Sequence, residues 1–138
     1  MDEFDDFPAL VELRKVLTPE NPQFILEDGQ LRHRGYFISL EVWNVRTRIH
    51  VAFPAKGLGG GHPRFRLLGD EGQKYAGIVG PSATAENDLM SFYSLSFEPL
   101  QHGTTEVKAE IAIVPAGVVV EDASELDSLW SDMGKVSI

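Results

Sequence analysis

The 138-residue chain contains no cysteine, which excludes a disulfide framework, thiol catalysis and cysteine-ligated zinc or iron–sulfur centres. No stretch approaches the roughly 20 apolar residues that span a bilayer as a helix. The first residues, Met1-Asp-Glu-Phe-Asp-Asp-Phe7, place acids where a secretory leader needs a basic stretch, and lipidation signals are missing at both ends. A soluble, cytoplasmic protein with no membrane partner is the expectation. Catalytic signatures are lacking too: there is no Gly-x-Ser-x-Gly elbow, no His-Glu-x-x-His and no acid pair singled out by spacing. The four histidines, His33, His50, His62 and His102, fall at no metal-clamp spacing. The glycine run Gly57-Leu-Gly-Gly-Gly61 is followed by a strand pattern and has no Gly-Lys-Ser/Thr, so it reads as a loop, with an anion nest as the lesser alternative. No cofactor, no metal and no enzyme activity are expected.

What is present is ordinary globular composition, 43% hydrophobic and 24% charged, at a length that suits a single domain over residues 1–138. Ala9, Leu10, Leu13, Val16 and Leu17 recur at helical spacing after Pro8, predicting a short helix over residues 8–17 that Pro19 and Pro22 end. From residue 23 to 120 the period shortens to two. Asp28-Gly29 predicts a tight hairpin, and the change from even apolar positions (Tyr36, Ile38, Leu40, Val42) to odd ones (Val45, Thr47, Ile49, Val51, Phe53) requires a turn or bulge near Trp43-Asn44. Asp70-Glu71 lies in turn chemistry. Tyr93, Leu95 and Phe97, then Val107, Ala109, Ile111 and Ile113, alternate with polar neighbours and predict adjacent antiparallel strands. In residues 121–138, an acidic amphipathic tail, the spacing of Leu126, Leu129, Trp130 and Met133 predicts a helical turn or two.

About seven short strands with helices only at the termini predict a mainly β protein, an antiparallel sandwich. Its expected core is Phe24, Leu26, Ile38, Leu40, Val42, Val45, Ile49, Val51, Phe65, Leu67, Tyr93, Leu95, Phe97, Val107, Ile111 and Ile113. Phe65-Arg-Leu-Leu-Gly-Asp-Glu-Gly-Gln-Lys-Tyr75, Leu95-Ser-Phe-Glu-Pro-Leu100 and the alternation from Val107 to Val114 resemble the layout of bacterial immunoglobulin-like β-sandwich domains of envelope and stress-associated proteins. The resemblance covers a third to a half of the chain. It implies an Ig-like sandwich and a non-catalytic binding or scaffold role, and carries over no functional residue.

Charge placement is the strongest functional signal. The net charge is -9, yet Arg32, Arg34, Arg46, Arg48, Lys56, Arg64, Arg66 and Lys74 occupy a central stretch with only Glu41, Asp70 and Glu71 as acids. With Ile49, Val51, Phe65 and Leu67 inward, Arg46, Arg48, His50, Arg64 and Arg66 must point outward, and form one basic face if their strands share a sheet. The expected role is a non-enzymatic protein-interaction or scaffold module. That face meets an acidic partner or the chain's own acidic tail, with Leu129 and Trp130 anchoring the tail in cis or across a dimer. The alternative is a polyanion or nucleic acid on the same face, with Trp43 or Tyr36 stacking bases, against which the overall negative charge argues. A plain solvated charged surface is the third reading.

Overall fold

A computed structural model describes residues 11–28, 31–54, 62–85, 90–115 and 117–138. Among these the protein is mainly β, in two antiparallel sheets. The larger contains β1 (Leu13–Leu17), β2 (Gln23–Asp28), β3 (Leu31–Trp43), β4 (Thr47–Pro54), β7 (Gly77–Ala85) and β8 (Met90–Phe97), ordered β1-β3-β4-β8-β7 with β2 also paired to β3. The smaller is ordered β10 (Ser131–Ser137), β9 (Glu106–Val114), β5 (His62–Leu68), β6 (Lys74–Tyr75).

Alternation along the strands creates one core between the sheets. Leu40, Ile49, Val51, Leu95 and Phe97 enter it from the larger sheet, and Leu67, Val107, Ile111, Met133 and Val136 from the smaller. At one end Phe53 packs edge-on against Phe24 and Tyr93, with ring centroids 5.6 and 5.7 Å away, and Phe65 fills the gap from the opposite sheet. Gly35 stands opposite Phe24 in the β2–β3 register, and a Cβ there would overlap the Phe24 ring. The aromatic takes the space that glycine leaves.

Among the described residues both expected helices are absent. Leu13–Leu17 is a strand, and residues 8–10 of the expected helix lie outside the described residues. A register shift between Leu13 and Lys15 places Leu13 opposite Trp43 and Val16 opposite Glu41, so a bulge sets two apolar side chains three positions apart on one face. In the tail, Asp122 caps a short 3-10 turn over Ala123–Leu126, and the chain then becomes β10, where a shift between Asp132 and Gly134 accompanies the inward Met133 and Val136. Gly134, at φ +144°, supplies backbone freedom at that bulge. In β1 a bulged strand thus imitates helical i, i+3 spacing, whereas in the tail Leu126 lies in the 3-10 turn and Leu129 and Trp130 precede β10.

The same device corrects one core residue. The β3–β4 register shifts between Phe37 and Ser39, so Ile38 is the extra residue and is 40% exposed, while Phe37 and Leu40 are buried. The expected change of face near Trp43-Asn44 is a hairpin turn, closed by the Trp43 N–H donating to the Arg46 carbonyl at 2.9 Å. Val45 sits half-buried in that turn. Asp28 pairs with Leu31, while Gly29 of the expected tight turn and the run Gly57–Gly61 lie outside the described residues.

Candidate binding faces

The expected basic face divides in two. β4 belongs to the larger sheet and β5 to the smaller, and Ile49 and Val51 meet Leu67 in the shared core. Arg48 and His50 therefore point out of the sandwich on one side, Arg64 and Arg66 on the other. Arg46 lies in the β3–β4 turn. The two arginine pairs were expected together because each alternates with inward apolar residues, but alternation fixes inside against outside and leaves sheet membership open.

The outer face of the larger sheet is built by register. Ile25 lies opposite Arg34, Tyr36 opposite Ala52 and Ala52 opposite Phe92; Glu41 pairs with Arg48, and Arg48 with Ser96. Directly paired residues share a face, so aromatic, aliphatic and basic side chains lie side by side. Leu13, Val16, Ile25 and Ile38 are each at least 40% exposed. From Arg34 to Trp43, and along β4 and β8, Glu41 is the sole carboxylate.

That carboxylate anchors a chain of hydrogen bonds. The Trp43 indole Nε1 donates to Glu41 Oε1 at 2.9 Å, and His50 Nε2 lies 2.9 Å from Glu41 Oε2. Since a carboxylate only accepts, Nε2 carries a proton toward it, and Nδ1 on the other side of the ring lies 2.9 Å from the Ser94 hydroxyl. Burial pushes the Glu41 carboxyl up, but hydrogen bonds from Trp43 and His50, with the charges of His50 and Arg48, outweigh it and hold the group below the ordinary carboxylate range. Arg48 Nε is shielded from solvent without an acceptor.

Ser94, His50 and Glu41 have the connectivity of an acyl-transfer triad, but such a triad also needs donors converging on an oxyanion and a recess for the acyl group. β4 pairs with β3 on one side and β8 on the other, so the N–H groups there are engaged along the ladder. The clefts described below and beside β2 are lined by none of the three residues. The arrangement is a cross-strand clamp that fixes the polar side chains of this face. Among the described residues no three acidic or histidine side chains gather as a metal site.

The outer face of the smaller sheet is different. Glu110, Ala112 and Val114 point outward on β9 and are nevertheless buried. The segment between β9 and β10 covers them: Val118–Val120 lie beside Arg64 and Val114, while Leu126, Asp127 and Trp130 lie beside Arg64 and Arg66. The Arg66 guanidinium is 4.3 Å from the Trp130 ring centroid, and it binds Glu110 Oε1 at 2.6 Å. Lys108 approaches the other Glu110 oxygen at 3.5 Å. Leu126 is buried, whereas Leu129 remains 40% exposed. The tail thus docks through an aromatic ring on a cation and an apolar plug, and Glu121, Asp122, Glu125 and Asp127 form no ion pair with Arg64 or Arg66.

Three participants escaped the sequence reading as site residues. Glu41 and Ser94 sit 9 and 44 positions from His50, and Glu110 sits 44 from Arg66; only strand pairing brings them together. Trp43 carried a signal, an aromatic on a polar face. Asp70, read as a turn residue, also ties that turn to the start of β9 by accepting from the N–H groups of Thr105 (2.9 Å) and Glu106 (2.7 Å).

No family model and no curated protein matches the chain. Among solved structures, a conserved domain protein from Bacillus anthracis is similar in fold, with a TM-score of 0.54 and 12% identity over 90% of this chain. The match spans 47% of that protein. At this identity the likeness concerns the fold alone.

Proposed function

We propose that the protein is a non-enzymatic interaction module of immunoglobulin-like sandwich type, working in the cytoplasm, whose outer face on the larger sheet receives an acidic, apolar-rich segment of a protein partner. The observation that carries this reading is the coincidence of Leu13, Val16, Ile25 and Ile38, all exposed, with Arg34 and Arg48 on one sheet face that is not covered among the described residues. Exposed apolar side chains mark contact surfaces when they gather, and a cationic patch on a chain of net charge -9 selects an acidic partner. The clamp of Glu41, His50 and Ser94 keeps the face preorganised.

A synthetic peptide alternating glutamate with leucine and phenylalanine is the test, titrated beside oligothymidylate of equal charge. The double variant Arg34→Glu/Arg48→Glu should weaken peptide binding at least about ten-fold, roughly 1.4 kcal/mol. Arg64→Glu, on the opposite face, should leave it within about two-fold, less than 0.5 kcal/mol. A larger effect at Arg64 overturns the assignment of the face, and tighter binding of oligothymidylate puts the polyanion reading in its place.

A further inference from the structure

A second surface does not belong to the face just described. Where β5 begins and β9 ends, a cleft of about 580 Å³ opens between His62, Arg64, Tyr93 and Val118–Val120. This volume falls within the range of about 300–1,000 Å³ usual for small-molecule sites. Its walls combine two kinds of chemistry. Val118 and Val119 are 52% and 78% exposed, and consecutive valines held in water are unfavourable unless something covers them. Tyr93 has its ring stacked into the Phe53–Phe65 cluster at the end of the core, and its hydroxyl has no hydrogen-bond partner among the described residues. Burial pushes that phenol above its ordinary value, so it remains a neutral donor. Arg64 brings positive charge and His62 an imidazole able to donate a hydrogen bond, and no carboxylate approaches Arg64 among the described residues.

We propose that this cleft binds a small anionic amphiphile, its apolar chain lying on Val118–Val120 and the Tyr93 ring and its acid group meeting Arg64 and His62. A purely apolar ligand leaves Arg64 and His62 unused, and a small hydrophilic anion leaves the valines exposed; a carboxylate with an aliphatic tail satisfies both. Neither Arg34 nor Arg48 lines the cleft, whose Arg64 belongs to the smaller sheet and whose Tyr93 points into the core end rather than onto the outer face of the larger sheet, so it stands or falls apart from the partner face.

The probe is octanoate, titrated calorimetrically into the full chain, with octan-1-ol, octyltrimethylammonium and acetate as companions. Octanoate should bind saturably with one site, octanol at least about ten-fold more weakly, and the cation and acetate without saturation. Arg64→Gln should cost octanoate about five- to ten-fold while leaving octanol unchanged, and Val119→Ser should weaken both. Both side chains are exposed, so the variants keep the fold, which their unfolding transitions verify. Arg34→Glu/Arg48→Glu should leave octanoate binding intact. Equal affinity for octanoate and octanol, no saturable binding of octanoate up to millimolar concentration, or octanoate binding unaffected by both Arg64→Gln and Val119→Ser overturns the proposal.

Discussion

The two outer faces of this sandwich begin from the same pattern, arginines alternating with inward aliphatics, and come to opposite ends. On the smaller sheet the chain covers its own face: Trp130 rests on Arg66, Leu126 plugs the surface, and outward Ala112 is 0% exposed. On the larger sheet the corresponding positions hold Arg48, His50 and Ser94, all only half-buried, with His50 tied to Ser94 and to Glu41. An outward basic row is therefore raw material; what lies over it decides whether it serves stability or binding. The covered row adds to the folded state through desolvated contacts, and the open row stays accessible to another molecule.

Truncation after Val120 should break the comparison most severely, because it removes the covering segment together with Met133 and Val136, both in the core. Each such core loss costs about 2–5 kcal/mol, comparable in sum with the whole stability of a domain, about 5–15 kcal/mol. Cooperative thermal unfolding should vanish in circular dichroism. A retained sharp transition would show that the covered face needs no cover.

Replacing one tryptophan at a time sharpens the contrast. Trp130→Ala should destabilise by about 1–3 kcal/mol, below the 3–5 of a fully buried tryptophan because the ring is half-buried. Trp43→Ala should cost about 1 kcal/mol or less, mainly the indole hydrogen bond to Glu41. Urea midpoints measure both, and the reverse order would contradict the division of labour. Gly35→Ala serves as a core reference: its new methyl must displace the Phe24 ring, at about 1–3 kcal/mol.

The smallest effect is electrostatic. The Glu41 carboxyl ionises below its ordinary value of 4.5, so the folded state holds its proton less tightly than the unfolded chain. The resulting stability is complete above that value and is lost as pH falls through the depressed one. Between neutral pH and pH 3, Glu41→Gln should flatten part of the decline in unfolding temperature. Parallel curves for wild type and variant would show that the clamp adds no pH-dependent stability.

Layering and most of the core were legible in the sequence, because inward–outward alternation is local: Ile49 and Val51, Leu95 and Phe97, and Val107 and Ile111 are all buried as their period requires. Bulges were not legible. At Arg14 and Ile38 one extra residue shifts the phase, and the local pattern then matches a helix or assigns the wrong side chain to the core. Sheet membership was illegible for a different reason. β4 pairs with β8 some 44 positions away and β5 with β9 at a similar distance, and no feature of either strand names its partner. The basic face was read correctly as outward on each strand and wrongly as a single surface.

The chain has two tryptophans, and each stands on one outer face, Trp43 on the larger sheet and Trp130 on the smaller. Their indole N–H signals in a nitrogen–proton correlation spectrum report the two faces separately during titration with the acidic peptide. A saturable shift of the Trp43 indole is expected, accompanied by backbone shifts along β3, β4 and β8, while the Trp130 indole stays in place. Movement of Trp130 with Trp43 unmoved would contradict it.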